Sequence, residues 1–245
     1  MSSSYIELHT ASAFSFLQGA ALPEAIVDRA ADLGYSAIAL LDRDGVYGAP
    51  RFHKAATAAG IQPIVGCELT IESLTSNVLL PVLCESQTGY RNLCRLITRM
   101  KLRAPKGEGA LTLDDLDGGT SGLVALAGRA ALDGRRHGVG GLLDRLVGVF
   151  GRSNVYVELQ RHHRRDEERD NETLATLADT FHVPTIATNG VRYDAPARRP
   201  LFDVLTCIHH GTTVAAAGRR LAPNAERYLK PPAEMADLFR DQEAA

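Results

Sequence analysis

The sequence predicts an α/β fold in which strands and helices alternate around a sheet. Seven short apolar runs rich in β-branched residues recur along the chain, near residues 4, 36, 62, 77, 122, 154 and 183. Amphipathic stretches lie between many of them, and this alternation is typical of βα units around a parallel sheet. Hydrophobic residues make up 45% and charged residues 23% of the 245 positions, which is ordinary for a globular protein with a large core.

Each predicted element can be assigned to a run of sequence. The strand candidates, in chain order, are SYIELH, SAIALLD, QPIVGCEL, NVLLPVLC, GLVALAG, NVYVELQ and VPTIAT. The helix candidates are LPEAIVDRAADLG, GAPRFHKAATAAG, TGYRNLCRLITRMKLR, GLLDRLVGVFG and RDNETLATLADTFH. Pro23 and Gly34 mark the limits of the first helix, because proline favours the start of a helix and glycine its end. Seven parallel strands can form an open doubly wound sheet or a closed barrel, and periodicity alone does not separate the two.

The alternation of strands and helices stops near Pro196, so we predict one α/β domain over residues 1–196. Within it, residues 106–121 are rich in glycine and aspartate and are predicted to be a loop with one short helix at most. Residues 197–245 are predicted to form a helix, an irregular stretch and a last helix. We expect this segment to lead out of the domain.

Charge, cysteine content and hydropathy exclude several classes of protein. The formal net charge is −2, so direct contact with nucleic acid would need a local basic patch, and acids interleave the candidate RHHRRDEER. The four cysteines form no Cys-x-x-Cys pair, which argues against a disulfide framework and a zinc ribbon. No apolar run is long enough for a membrane span and no secretion signal is visible, so we expect a cytoplasmic protein without membrane contact. Phosphate-binding loops, dinucleotide fingerprints and nucleophile elbows are also absent.

Polar side chains follow the predicted strands at the edge where α/β proteins place their sites. In chain order these residues are His9, Asp42, Glu68, His162 and Asn189. His9, Glu68 and His162 are types that bind zinc or manganese. A stronger metal signal would be a His-x-His pair on one strand, whose two rings face the same side, but Ala11 occupies the second place.

Several motifs in order resemble the polymerase-and-histidinol-phosphatase (PHP) domain that opens the α subunit of bacterial C-family DNA polymerases. The matching segments are LHTASAFSFLQGA, ALLDRDGVYGAPRFHKAATAAGIQPIVGCEL, TGYRNL, GLVALAG, VELQRH and VPTIATNGVRYD. The stretch around Asp42 and the opening YIELH are most similar to the error-prone, damage-inducible polymerases. The resemblance runs from Tyr5 to about Phe239, and it implies a distorted seven-stranded (β/α)7 barrel and a place in DNA replication or repair.

The resemblance also implies which residues of a metal site remain. In active members of the family, His, Asp, Glu and Cys side chains at the strand ends bind several metal ions for a phosphoesterase or a 3′–5′ exonuclease. His9 matches the first histidine of the family's His-x-His pair, and Glu68 matches the carboxylate of the third strand. Other positions carry a different residue where the family has a ligand: Ala11, Gln18, Arg43, Leu79, Arg129, Gly190 and Arg192.

These departures imply a vestigial cleft with no catalytic residues. Its members are His9, Asp42, Arg43, Glu68, Arg129, His162 and Arg192. A multinuclear site needs several anionic and imidazole donors to offset repulsion between the ions, and arginines that point into the cleft would pair with Glu68 or Asp42 instead. We therefore expect no metal cofactor. The rival hypothesis is one zinc or manganese ion bound by His9, Glu68 and His162.

The family resemblance implies a structural module that works with polymerase domains in cis or in trans. Other replication or repair proteins would be further partners, and DNA would be contacted only indirectly. The catalytic aspartates of the family belong to a palm domain that this sequence lacks, so we expect no DNA synthesis by the chain alone. Two alternatives stay open, namely an active metal-dependent phosphoesterase or exonuclease of the PHP family and a free-standing regulatory or scaffold protein.

Overall fold

The strands of the protein form one curled sheet with helices packed around it. The structure is a computed structural model that describes residues 5–72, 77–105, 107–132 and 140–242, so Ser4 and Lys106 of the predicted elements lie outside the described residues. The six strands of the described part are paired in chain order: β1 (Ala37–Arg43), β2 (Gln62–Ile71), β3 (Val78–Cys84), β4 (Leu123–Ala127), β5 (Val155–Leu159) and β6 (Thr185–Ala187). The helices of the same part are α1 (Pro23–Asp32), α2 (Ala49–Ala58), α3 (Gln87–Arg103), α4 (Gly141–Phe150), α5 (Glu167–Phe181), α6 (Arg199–His209), α7 (Val214–Ala217) and α8 (Pro232–Leu238).

The expectation of an all-parallel sheet is wrong at β3. Strands β1 and β2 are parallel, and β4, β5 and β6 are parallel, but β3 is antiparallel to both of its neighbours. The physical reason lies in the short connection between Ile71 and Val78, since a parallel crossover needs about a dozen residues or more. Strands β2 and β3 therefore form a hairpin inside the α/β sheet.

The first predicted strand, SYIELH, is not a regular strand in the described residues, so the count of seven strands is not confirmed. It forms isolated parallel bridges, Glu7 with Ile38 of β1 and Thr10 with Val191 beyond β6. The amide of Val191 donates to the carbonyl oxygen of His9 at 2.8 Å, and the amide of Ala11 donates to the carbonyl oxygen of Val191 at 2.9 Å. This extended segment thus lies between the two edges of the curled sheet.

Local sequence explains where the helices begin and end. Pro23 opens α1, and Gly34 follows the helix with a φ of +76°, which glycine adopts without strain. The hydroxyl of Ser86 caps α3 by accepting a hydrogen bond from the amide of Gly89. The acidic first turn of α5 complements the helix dipole. The five helices predicted inside the domain are all present, within a few residues of their predicted limits.

Residues after 196 pack back onto the sheet. Met235 of α8 and Phe239 are buried in the main hydrophobic core together with residues of β2, β4, α3 and α4. Leu229 joins a second core beneath α1 and α2.

The predicted loop of residues 106–121 contains one short 3₁₀ helix, Leu113–Leu116, as expected. Among the described helices, none is long and apolar enough to cross a membrane.

Candidate functional site

A buried histidine lies between two carboxylates where the first segment meets β2 and β5. His9 Nε2 is 2.8 Å from Glu68 Oε1, and His9 Nδ1 is 2.5 Å from Glu158 Oε1. Both partners are acceptors when ionised, so a ring that serves both must donate from both nitrogens. Burial alone would lower the pKa of His9, but the charge of Glu158, its hydrogen bond and the contacts with Glu68 outweigh burial and raise this pKa to about 9. His9 is therefore an imidazolium at neutral pH.

Arg192 completes the cluster by binding Glu68 with two guanidinium nitrogens. Arg192 Nη1 donates to Glu68 Oε2 at 2.9 Å, and Nη2 donates to Oε1 at 2.6 Å. Burial would raise the pKa of Glu68, yet Arg192 and then His9 hold it well below its usual range. We call His9, Glu68, Glu158 and Arg192 the core quartet. Its two cations and two anions balance, and all four side chains are buried.

The neighbouring backbone and side chains fix the geometry of the core quartet. Thr188, just after β6, donates its hydroxyl to Glu158 Oε1 at 2.6 Å. The carboxylate of Glu7 accepts from the amide of His9 and from the amide of Asn189, each at 2.9 Å, and from the hydroxyl of Tyr5 at 2.8 Å. Burial raises the pKa of Glu7 to about 7 despite these hydrogen bonds. The first segment, β5 and the chain beyond β6 are thereby tied together around His9.

Asp42 lies at the end of β1 and is bonded to two serines rather than to an arginine. Its carboxylate accepts from the amide and hydroxyl of Ser12, both at 2.8 Å, and from the hydroxyl of Ser15 at 2.9 Å. Burial raises the pKa of Asp42, and these hydrogen bonds oppose that shift. Gly48 is required beside it, because a Cβ there would come within 2.4 Å of Asp42 Oδ2.

A pocket of about 550 Å³ opens above the core quartet. Arg43, Arg129, Arg192 and His162 all line it, so the three arginines singled out from the sequence face one cleft. Of these three arginines, only Arg192 forms an ion pair with another residue of the predicted cleft, Glu68. Arg43 donates to the side-chain oxygen of Gln18 at 2.6 Å and lies 3.6 Å from Asp44, whereas Arg129 lies 2.8 Å from Asp170.

His162 is not part of the core quartet. Its Nε2 donates to the carbonyl oxygen of Asn189 at 2.8 Å, and its Nδ1 is 3.1 Å from Glu167 Oε1. Burial and then the charge of Arg227 lower the pKa of His162. Neither ring nitrogen contacts His9 or Glu68, so the three candidate metal ligands do not converge.

Sequence reasoning missed residues that the structure places in or beside the cluster. Glu158 is the most important, and Glu7 and Arg227 are the others. A signal was available for the two acids, because each is an ionisable residue inside an apolar strand-like run, VYVEL and YIEL. A buried carboxylate in such a run needs a cation or a set of donors. No comparable signal marks Arg227, which comes from the irregular stretch after α7.

In the described ranges, no group of three or more His, Cys, Asp and Glu side chains is arranged so that it could bind a metal ion. The curled α/β sheet with an ionised cluster beside its strand ends places the protein in the broad class of barrel-like α/β proteins. The model of the PHP domain family matches residues 7–162, and the chain belongs to that family.

Relatives with similar sequences agree with this assignment. The chain is 41% identical to an error-prone DNA polymerase of Anaeromyxobacter sp. strain K over 97% of its own length, and 36% identical to one of Pseudomonas savastanoi pv. phaseolicola over 98%. It spans only 21% and 23% of those relatives, about a fifth of their length.

Two solved structures share the fold. A protein of Bifidobacterium adolescentis assigned as a metal-dependent phosphoesterase is similar with a TM-score of 0.57 at 14% identity, covering 76% of this chain and 86% of that one. An amidohydrolase of Chromobacterium violaceum is similar with a TM-score of 0.56 at 18% identity, covering 76% of this chain and 87% of that one.

Proposed function

We propose that the chain is the PHP module of an error-prone type of C-family DNA polymerase, with ion pairs in place of a metal site. The observation that carries this proposal is the two-point contact of Arg192 with Glu68, which occupies both oxygens of the carboxylate matched to a family ligand. The second matched ligand, His9, has both ring nitrogens on carboxylates. The module then contributes structure to the polymerase rather than phosphoester hydrolysis.

A divalent metal does not fit the core quartet as it stands. A histidine binds a metal through an unprotonated ring nitrogen, whereas contact with Glu68 and Glu158 favours the doubly protonated ring. A metal on Glu68 would also have to displace the guanidinium of Arg192, which would remain as a repelling charge beside it. The balanced charges of the core quartet thus favour a metal-free state.

Closure of the barrel and the partners of the module are part of the proposal. We propose that the extended segment of Tyr5–Ala11 takes the place of the seventh strand in a distorted barrel. Its backbone forms hydrogen bonds with β1 on one side and with the chain beyond β6 on the other. Polymerase domains, in cis or in trans, are the partners that the longer relatives suggest. Other replication or repair proteins would join them in the cytoplasm.

A chimeric polymerase tests the proposal. The matching fifth of the Anaeromyxobacter sp. strain K polymerase is replaced by this chain, and primer extension is compared with that of the parent and of a version without the module. We expect extension near the parental level with this chain and a large loss without any module. A chimera that is stable and monodisperse but does not extend primers would contradict the structural role.

Hydrolysis by the chain alone tests the remaining part of the proposal. The purified chain is incubated with a chromogenic phosphate ester and with a 3′-labelled oligonucleotide in the presence of manganese or zinc. We expect no turnover of either substrate. Turnover that is lost in Glu68→Ala would instead make the chain an active phosphoesterase or exonuclease of the PHP family.

A further inference from the structure

The pocket above the core quartet is lined by a concentration of positive charge. Six arginines face it: Arg43, Arg129, Arg164, Arg192, Arg220 and Arg227. Among the described residues that line it, Glu167 is the one acid. Its carboxylate already accepts from the amide of His162 at 2.6 Å and from the amide of Arg164 at 3.0 Å. The pocket therefore has a large excess of cations over anions.

Half of these arginines have no acidic partner among the residues that the structure describes. Arg192, Arg129 and Arg43 each lie within 4 Å of a carboxylate. Within residues 5–72, 77–105, 107–132 and 140–242, Arg164, Arg220 and Arg227 form no ion pair with an acid at that distance. Arg164 and Arg220 are exposed and Arg227 is half-buried. The three guanidiniums around one cavity repel each other, and an anion in the cavity would relieve that repulsion.

Arg227 is the most informative of the three because it is half-buried. Its closest side-chain partner in the described residues is a neutral amide, Gln160 Oε1, at 3.4 Å. Burial and then the nearby charge of Arg192 lower the pKa of Arg227 to about 10, and the charges of Glu68 and Glu158 oppose that shift without cancelling it, so the guanidinium stays charged at neutral pH. A charged group that is partly desolvated and not paired costs free energy unless a ligand pairs with it.

The backbone around Arg227 is fixed before any ligand binds. The carbonyl oxygen of Arg227 accepts from the amide of Arg192 at 2.8 Å. On either side of it, the side-chain amide of Asn189 donates to the carbonyl oxygens of Glu226 and Tyr228, each at 2.7 Å. Because the backbone is fixed, binding of a ligand has to order the side chain of Arg227 but not the chain that carries it, which favours affinity.

We infer that this pocket binds an anion with two or more negative phosphate charges directly through guanidinium groups, without a metal ion. Arginine presents paired donors that match phosphate oxygens. The volume of about 550 Å³ lies in the range of small-molecule sites and accommodates a nucleotide. The same chemistry is offered by free pyrophosphate, by a nucleoside triphosphate and by the phosphorylated end of a DNA strand. The inference goes beyond the proposed polymerase role and does not depend on it.

Titration calorimetry of the 245-residue chain with a chelator present tests this inference. The three probes are inorganic pyrophosphate, dATP and a 5′-phosphorylated deoxyoligonucleotide, each at matched ionic strength. We expect saturable binding of at least one probe with a dissociation constant below about 1 mM, and the probe that binds most tightly identifies the source of the phosphate. Absence of saturation with all three probes, or binding only after a divalent metal is added, would overturn the inference.

Arginine variants separate a specific pocket from general surface charge. Arg227→Met and Arg220→Met are each expected to weaken binding about tenfold, since each removes a charge-assisted contact. Arg219→Met, next to Arg220 but not lining the pocket, is the matched control and should change affinity less than about twofold. Equal losses in Arg219→Met and Arg220→Met would refute the pocket. Circular dichroism of each variant checks that the fold is retained, and if Arg227→Met does not fold, Arg220→Met against Arg219→Met decides alone.

Discussion

At the scale of single residues, the site depends on how each buried charge finds its partner. His9, Glu68 and Arg192 could be selected from the sequence because they occupy, or replace, expected ligand positions. The sequence did not show which arginine pairs with Glu68, because that depends on how the chain beyond β6 approaches β2. Glu158 could be recognised as a buried carboxylate from the apolar run VYVEL, but its partner His9 lies 149 positions away in the chain and is not marked by that run.

Removal of Arg192 is expected to destabilise the fold strongly. Arg192→Met leaves Glu68 buried with His9 as its one remaining cation, and loss of one partner of a buried pair costs about 3–5 kcal/mol. Urea denaturation measures the change in the free energy of unfolding.

Arg129→Met is the matched control for Arg192→Met. Arg129 lines the same pocket, but its ion pair with Asp170 is about one-third exposed on both sides, so we expect a loss below about 1 kcal/mol. Losses of equal size in the two variants would show that Arg192 is not the central cation.

His9 is expected to make stability depend on pH above neutrality. Its pKa is raised from 6.5 to about 9 in the folded state, so the folded protein binds the proton more tightly than the unfolded chain. The resulting stability is fully present below pH 6.5 and is lost as the pH rises through 9, by at most about 3 kcal/mol. Glu7 lowers the stability of the fold at lower pH, as the pH rises from 4.5 to about 7, because burial disfavours the charged form of its carboxyl group.

Denaturation of the wild type and of His9→Gln between pH 7 and 9 isolates the histidine. We expect the free energy of unfolding of the wild type to fall across this range. That of the variant should be lower at pH 7 and nearly constant up to pH 9. A wild type whose free energy of unfolding is constant over the same range would mean that His9 is not held as an imidazolium.

At the scale of elements, sequence patterns located the helices well but did not give strand direction. The helices have clear starts and ends, such as Pro23 and Gly34, whereas strands β1 to β3 are apolar on both faces over most of their length and look alike in either direction. The short link between Ile71 and Val78 was the available sign of a hairpin. The first segment was predicted to be a regular strand but forms isolated bridges, because it connects to residues on opposite edges of the sheet rather than to one neighbouring strand.

Two helix glycines should respond oppositely to alanine. A Cβ on Gly89 in α3 would lie 1.8 Å from the carbonyl oxygen of Gly122, where backbone meets backbone and neither can move away. Gly148 is exposed in α4 and has open space around it. We expect Gly89→Ala to lower the melting temperature markedly and Gly148→Ala to raise stability by about 0.5–1 kcal/mol. Thermal denaturation measures both, and a tolerated Gly89→Ala would contradict the close packing of α3 on the loop before β4.

At the scale of the whole molecule, the near-neutral charge conceals an uneven distribution. The 27 lysines and arginines nearly balance the 29 acids, which argued against a charged binding surface. Folding nevertheless gathers six arginines around one pocket, and only the three-dimensional path of the chain brings them together. Family membership could be predicted because its motifs are local, whereas the pocket could not, because its residues come from distant parts of the chain.

Elemental analysis of the purified chain, after incubation with excess manganese or zinc and removal of unbound metal, tests the central claim most directly. The ion pairs of Arg192 and His9 with Glu68 predict far less than one metal ion per chain, in the wild type and in Glu68→Ala alike. One bound ion per chain in the wild type, lost in Glu68→Ala, would contradict the account and restore a metal centre to this fold.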